Sequence, residues 1–422
     1  MARHGLERRT VEFQPTAREH GHGHGHGHGH GPAAPAGRRV RLLLAALLVP
    51  CAVASVVGVL LLYPFHSTPT APGPKTQLID ATVGAATSTD CAQSATPAQG
   101  AKAPQGCVAL SLLMSDGPSA GRGIVSVVPV EPTSPKYSVG DKVVLQYNGG
   151  DPHDDGSYQI VDFQRGTSLW VLGLLFAGAV IVLGRWRGLA ALAALGVSFL
   201  VLVIFVLPAM LDGRNPLSVA LVGSCLIMFA VLYLSHGLSA RTSTAVLGTL
   251  VSLGLIGALS WVFTAAARLT GLDEASSNLI ATLGSGARLD PRGLLLAGFV
   301  IGALGVLDDV TVTQTSAVWE LRAANARLTA GQLFTSAMRI GRDHISSAVN
   351  TLVLAYAGAS LPLLLFFTVS GLTVGQSLTT SEVATEVVRT LVGSIGLVAS
   401  VPITTGVAAL VAVHEKPRSA GS

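Results

Sequence analysis

The chain has 422 residues, of which 50% are hydrophobic and only 12% charged, about half the charged share of a soluble domain. Long uninterrupted apolar runs at that charge density exclude a soluble globular enzyme and define a polytopic helical membrane protein. The net charge of +4 comes from arginines flanking those runs, which matches topology signalling, so lipid is the expected partner and nucleic acid is not.

Residues 1–37 are rich in arginine, proline and glycine and offer almost nothing to bury, so they read as a disordered cytoplasmic tail. Within them His20, His22, His24, His26, His28 and His30 alternate with glycine. Imidazoles on a loose chain suit zinc, nickel or copper as a weak divalent site; a low-complexity tail with incidental metal affinity is the competing reading. No other cofactor is expected. Arg38, Arg39 and Arg41 then precede the apolar run 42–63. That run is too long for a signal-peptide core and no small-x-small cleavage site follows, so residues 38–63 read as an uncleaved first span with a cytoplasmic N-terminus.

Residues 64–165 are different material, rich in Pro, Gly, Ser and Thr. Strand-favouring islands at 76–83, 107–114, 123–130, 142–147 and 158–163 are separated by turn signals such as Asp116-Gly117 and Asn148-Gly149-Gly150. Five short strands suit a small extracytoplasmic β domain, a barrel of the OB kind. Cys91 and Cys107 fall in this oxidising compartment and are expected to pair, a closure worth about 3 kcal/mol in the chain-entropy model. Asp151, His153, Asp154 and Asp155 share one loop; a solvated hairpin loop is the plainer reading and a divalent cation site the sharper one.

Residues 166–413 read as seven further spans, at 168–184, 188–206, 217–234, 244–265, 293–319, 345–367 and 390–413, with 414–422 as a second cytoplasmic tail. The architecture is thus an all-α bundle of about eight transmembrane helices in the cell membrane, with both termini in the cytoplasm. Cytoplasmic flanks, among them Arg185, Arg187, Arg339 and Arg342, are richer in Lys and Arg than outer ones. Pro208 should end one helix, whereas Pro362 and Pro402 fall inside spans and should kink them. The segment 275–286 between spans reads as an interfacial helix or, more sharply, a re-entrant loop carrying Asn278 inward.

The stretch GFVIGALGVLDDVTVTQTSAVWE (298–320) organises the membrane part. Asp290-Pro291 supplies an N-cap and a first helical proline. The apolar run 293–307 covers only roughly 22 Å, short of a ~30 Å hydrocarbon core. Continued through Asp308 and Asp309 toward Trp319, the helix leaves the acids in the membrane, roughly 5–10 Å from the cytoplasmic edge; the plainer reading is a helix slid outward, with the pair marking its wet end. A carboxylate there costs about 2.5–3.5 kcal/mol on insertion scales, so a partner, a cavity or protonation must offset it. Helical spacing sets Asp308 with Thr311 and Thr315, and Asp309 with Thr313 and Ser316.

The next span opens GRDHISSAVNTLVLAYAG, where Asp343, Ser346, Ser347 and Asn350 share one helix face. This stripe is expected at the depth of Asp309, either as helix-helix glue or as the wall of a hydrophilic vestibule, with Arg339 or Arg342 neutralising the acid. The transport-site candidates are therefore Asp308, Asp309, Thr313, Asp343, Ser346, Ser347 and Asn350. A faint internal echo relates STAVLGTLV (243–251) to SSAVNTLV (346–353) and makes Asp308 the counterpart of Thr405.

Gly302-Ala303-Leu304-Gly305 with Asp309-Val310, and Gly341-Arg342-Asp343 with Asn350-Thr351-Leu352-Val353-Leu354-Ala355-Tyr356 and Gly358, resemble the YibE/YibF-like membrane proteins of bacteria over roughly residues 160–412. The resemblance implies a multipass membrane protein and singles out Asp309 and Asn350. Asp308 departs from the family pattern, which commonly has an apolar residue there. No substrate comes with the resemblance.

The functional expectation is a permease or ion-coupled transporter using an intramembrane aspartate and a facing polar stripe. The alternative is a membrane scaffold or export accessory whose residues 64–165 bind a protein partner; self-association is compatible with either. No His-Glu-x-x-His or Gly-x-Ser-x-Gly motif occurs, so an enzyme is not expected.

Overall fold

The computed structural model describes residues 37–65, 77–91, 106–130, 134–284 and 289–415. The histidine-glycine tract, His20 to His30, lies outside them.

The polar segment forms five strands: β1 (Gln77–Thr89), β2 (Cys107–Met114), β3 (Gly123–Pro129), β4 (Lys142–Tyr147) and β5 (Tyr158–Phe163). They build one antiparallel sheet in the order β3-β2-β1-β4-β5. Alternation drives it: Ile79, Ala81 and Val83 of β1 bury against Leu110, Leu112, Met114, Val143 and Leu145. A bulge between Val83 and Ala85 bends the long β1, and the sheet curls. The curl is held by Asp155, which accepts from the Val125 amide at 3.0 Å and from the Arg122 guanidinium at 3.0 Å, tying β3 to the loop before β5. Asp154 and Asp151 accept from the nearby Gly156 and His153 amides. The acidic loop is thus engaged in structure; among the described residues, no group of three or more His, Cys, Asp or Glu side chains is placed to hold a metal. A disulfide joins Cys91 to Cys107 with Cα atoms 5.2 Å apart, linking the end of β1 to the start of β2.

The rest is helical: α1 (Arg38–Leu62), α2 (Gly166–Val201), α3 (Leu207–Leu211), α4 (Pro216–His236), α5 (Ala240–Ala266), α6 (Glu274–Leu283), α7 (Pro291–Ala324), α8 (Ala330–Ala359), α9 (Leu361–Val369), α10 (Val374–Leu378) and α11 (Ser381–Val413). Side-chain caps fix several of their starts. Asn215 caps α4 ahead of Pro216, Ser239 caps α5, and Thr329 with Gln332 forms a capping box on α8. Among the described residues six helices are long and apolar enough to cross a membrane, or seven if α8 and α9, bent by 60°, are taken as one span.

One of the six, Gly166–Leu211, has 46 residues, or ~69 Å if straight, over twice the hydrocarbon thickness. It is not straight. Arg185 adopts φ 51°, ψ −129°, and a Cβ on Gly188 would collide with the Val180 carbonyl. Eight residues of straight helix span ~12 Å, so the chain has turned back on itself and glycine is needed at the crossing. Pro208 does not end a helix as expected. A π turn at Leu202–Val206 widens the backbone just before it, and helix resumes through Leu211. Pro362 instead starts α9, so the expected span 345–367 is broken rather than kinked. Asn278 is exposed on the short capped helix α6 and is not carried inward. Val40 and Leu44 of α1 pack with Ala240 of α5 and Val411 of α11, so the start of α1, the start of α5 and the end of α11 share one end of the bundle.

Candidate functional site

Helix α7 is the central element. Asp290 caps it, accepting from the Arg292 amide at 3.1 Å, and Pro291 occupies its first turn. With 34 residues it runs past Trp319 to Ala324, which makes Asp308 and Asp309 its 18th and 19th residues. The acids therefore sit at the midpoint of this helix. At the far end, the Trp319 indole donates to Glu415 at 2.6 Å and Arg241 lies 3.7 Å from Glu320. Burial pushes the Glu415 carboxyl above its ordinary range, and the Trp319 bond pulls it partly back.

The two aspartates project about 100° apart around the helix axis and so lie on different faces. Asp308 is half-buried and continues into Thr311 and Thr315, both 0% exposed. Thr311 shares a 2.7 Å hydroxyl pair with Thr249 of α5 and lies 3.1 Å from the Asp308 carbonyl. One turn on, Gln314 is equally buried, and its amide oxygen accepts from Thr405 of α11 at 3.1 Å. Ser252, Ser400 and Thr404 are buried in the same three helices. Asp308 Oδ1, Gln314 Nε2, Thr315 Oγ1 and Thr404 Oγ1 have no hydrogen-bond partner among the described residues. Buried polar atoms are normally paired, and each unpaired one costs about 1–3 kcal/mol. Ser224, Ser260, Thr264, Arg292, His344 and Ser394 carry further such atoms among the described residues; those of Asp308, Gln314, Thr315 and Thr404 are the ones nearest in sequence or helix contact to the acid's face of α7 and its α11 neighbour.

Asp309 lies outside that seam. Its side chain is 75% exposed, and its partner is the His344 Nε2 at 3.8 Å rather than Arg339 or Arg342. Thr313 is half-buried. The α8 stripe is not turned toward the bundle: Asp343, Ser346, Ser347 and Asn350 are all exposed, while Ile345, Ala348 and Val349 pack on Val310, Leu397 and Val401. The amphipathic pattern is therefore real but points its apolar side inward. Gly341 explains how α8 docks, because a Cβ there would lie 2.8 Å from Gln314 Oε1 and 2.7 Å from Val401. Of the expected site residues, only Asp308 belongs to the buried seam. Thr249, Gln314 and Thr404 were not singled out as site residues; the available signals were the line from Asp308 through Thr311 to Thr315 and the internal echo that set Asp308 against Thr405.

A separate cavity of about 240 Å³ lies at the other end of α7, lined by Asp273, Ser276, Leu294, Gly298 and Arg389 among others. Gly298 precedes Asp308 by ten residues, ~15 Å along the helix, so this cavity is not the aspartate site.

A bundle of long apolar helices closed around a hydroxyl- and amide-lined seam defines a polytopic membrane protein. The chain belongs to the YibE/F-like protein family, whose model matches residues 172–414, more than half of its length. No curated protein and no solved structure matches it. The family match begins within α2 and leaves the β sheet outside.

Proposed function

We propose that this protein is a transporter of a small polar solute or ion in the cell membrane, and that Asp308, not Asp309, is its membrane-buried carboxylate. It crosses the bilayer eight times, counting the two arms of Gly166–Leu211 separately, with both termini in the cytoplasm and an OB-like domain outside. The shared end of α1, α5 and α11 supports that parity. One observation carries the reading: a half-buried acid with an unpartnered oxygen lies midway along α7 on the face that continues into Thr311 and Thr315, in a bundle interior where Gln314, Thr315 and Thr404 also have unpartnered polar atoms. Such groups are costly in hydrocarbon and mark solute or proton paths when they face a bundle interior. Asp308, Thr249 and Thr311 supply acceptor oxygens for a cation or proton, while Gln314 Nε2 supplies a donor. The protein performs no catalysis of its own.

The test is flux into proteoliposomes, read as proton movement and as uptake of candidate cations. Asp308→Asn should abolish it and Asp309→Asn should leave it within about twofold, since a group outside the path contributes little to a 1.4 kcal/mol-per-decade barrier. Equal flux in wild type and Asp308→Asn removes Asp308 from the mechanism.

A second reading, a scaffold or export accessory, rests on the outward face of the sheet, where Leu78, Leu113, Val125 and Val161 are all exposed. Capture of a defined partner through residues 64–165, undiminished by Asp308→Asn, favours it.

A further inference from the structure

The α8 stripe presents a separate problem. Ile345, Ala348 and Val349 pack at the level of Val306 and Val310, so Ser346, Ser347 and Asn350 lie beside the middle of α7. They are exposed there, and none of their side chains, nor that of Asp343, makes a hydrogen bond among the described residues. In a hydrocarbon layer an exposed amide and two hydroxyls find no partner from lipid. Toward the end of α8 that carries its charges, Arg339, Arg342 and Asp343 are exposed too, without an ion-pair partner among the described residues. The face thus carries both signs of charge next to uncharged groups that donate and accept.

We propose that a second copy of this chain packs against this face of α8. Two copies in one bilayer are related by an axis along the membrane normal, so the two α8 helices run parallel and like positions meet. Asn350 then faces Asn350 of the second copy, each amide donating to the other's oxygen. Ser346 and Ser347 extend that polar contact, and Asp343 reaches Arg339 or Arg342 across the axis. Self-complementary charge is what selects this occupant over an unrelated chain. The contact also covers the exposed side of the Asp309–His344 pair, which lies beside Ser347 one turn along α8. This inference does not depend on transport by the Asp308 seam.

The experiment is disulfide capture in native membranes, using the full chain with Cys51→Ser and Cys225→Ser and the Cys91–Cys107 bond retained. Asn350→Cys and Ser346→Cys should each yield covalent dimers on oxidation, several-fold more than Leu183→Cys, a control on an apolar surface position that is 87% exposed. The otherwise native protein in lipid nanodiscs should show twice the 43.1 kDa chain mass. Asn350→Leu should halve that mass and Asn350→Gln should restore it, which separates lost pairing from lost folding. A single-chain mass with cross-linking no greater than the Leu183→Cys control overturns the proposal. So does rapid labelling of the Asn350→Cys variant by a membrane-impermeant maleimide, which would show that water covers the face, or capture of a different protein there.

Discussion

Helices α5 and α8 carry nearly the same string, STAVLGTLV and SSAVNTLV, and the two copies meet opposite fates. In α5 Thr244 and Thr249 are fully buried, and Thr249 bonds Thr311 across the helix interface. In α8 the counterparts Ser347 and Thr351 are exposed, and Thr351 bonds only its own backbone at Ser347. The cause is the number of neighbours. α5 has α4, α7 and α11 around it, whereas α8 packs mainly on α7 and α11 along one side. A polar stripe within a span is therefore a demand for a partner, and the tertiary arrangement decides whether the same chain meets it.

The contrast can be broken most forcefully at Gly341. Gly341→Leu places a side chain into Gln314 and Val401 and should lower stability by about 1–3 kcal/mol or more, read as a fall in melting temperature in detergent. Next comes Gln314→Leu, which strands the Thr405 hydroxyl and should cost about 1–3 kcal/mol together with any flux the seam carries. A double-mutant cycle of Thr249→Val and Thr311→Val isolates one buried pair and should return a coupling of about 0.6 kcal/mol, typical of such bonds in membrane helices. The mirror experiment is Ser346→Ala, which should change stability by no more than about 0.5 kcal/mol in detergent dilute enough to separate the copies. A loss as large as that of Gln314→Leu would mean that α8 is buried after all.

The smallest expected effect is a pH dependence. Because burial raises the folded value of Glu415, folded protein holds its proton more tightly than the unfolded chain. The contribution is complete below the ordinary value of 4.5 and fades as pH rises through the higher folded value. Glu415→Gln should flatten the melting profile over that window and leave it unchanged elsewhere.

Much was legible without coordinates because it is local. The Asp290-Pro291 start of α7, the strands at 107–114, 142–147 and 158–163, and the run of apolar spans follow from capping, alternation and hydropathy, which neighbours in sequence determine. The reversal near Arg185 was foreshadowed by charge between two apolar runs. The faces of α7 were legible too, since 3.6 residues per turn assigns Asp308 to Thr311 and Asp309 to Thr313. Which face turns inward was not. Asp308 and Asp309 are identical in chemistry, and helix periodicity is indifferent to rotation about the axis. Only the packing of α5 and α11 against Thr311 and Gln314 made one aspartate interior and left the other beside His344 on the surface. Composition fixed that the chain belongs in lipid and where its helices begin; burial, a property of contacts between residues as distant as Thr249 and Thr311, was decided by the assembled bundle alone.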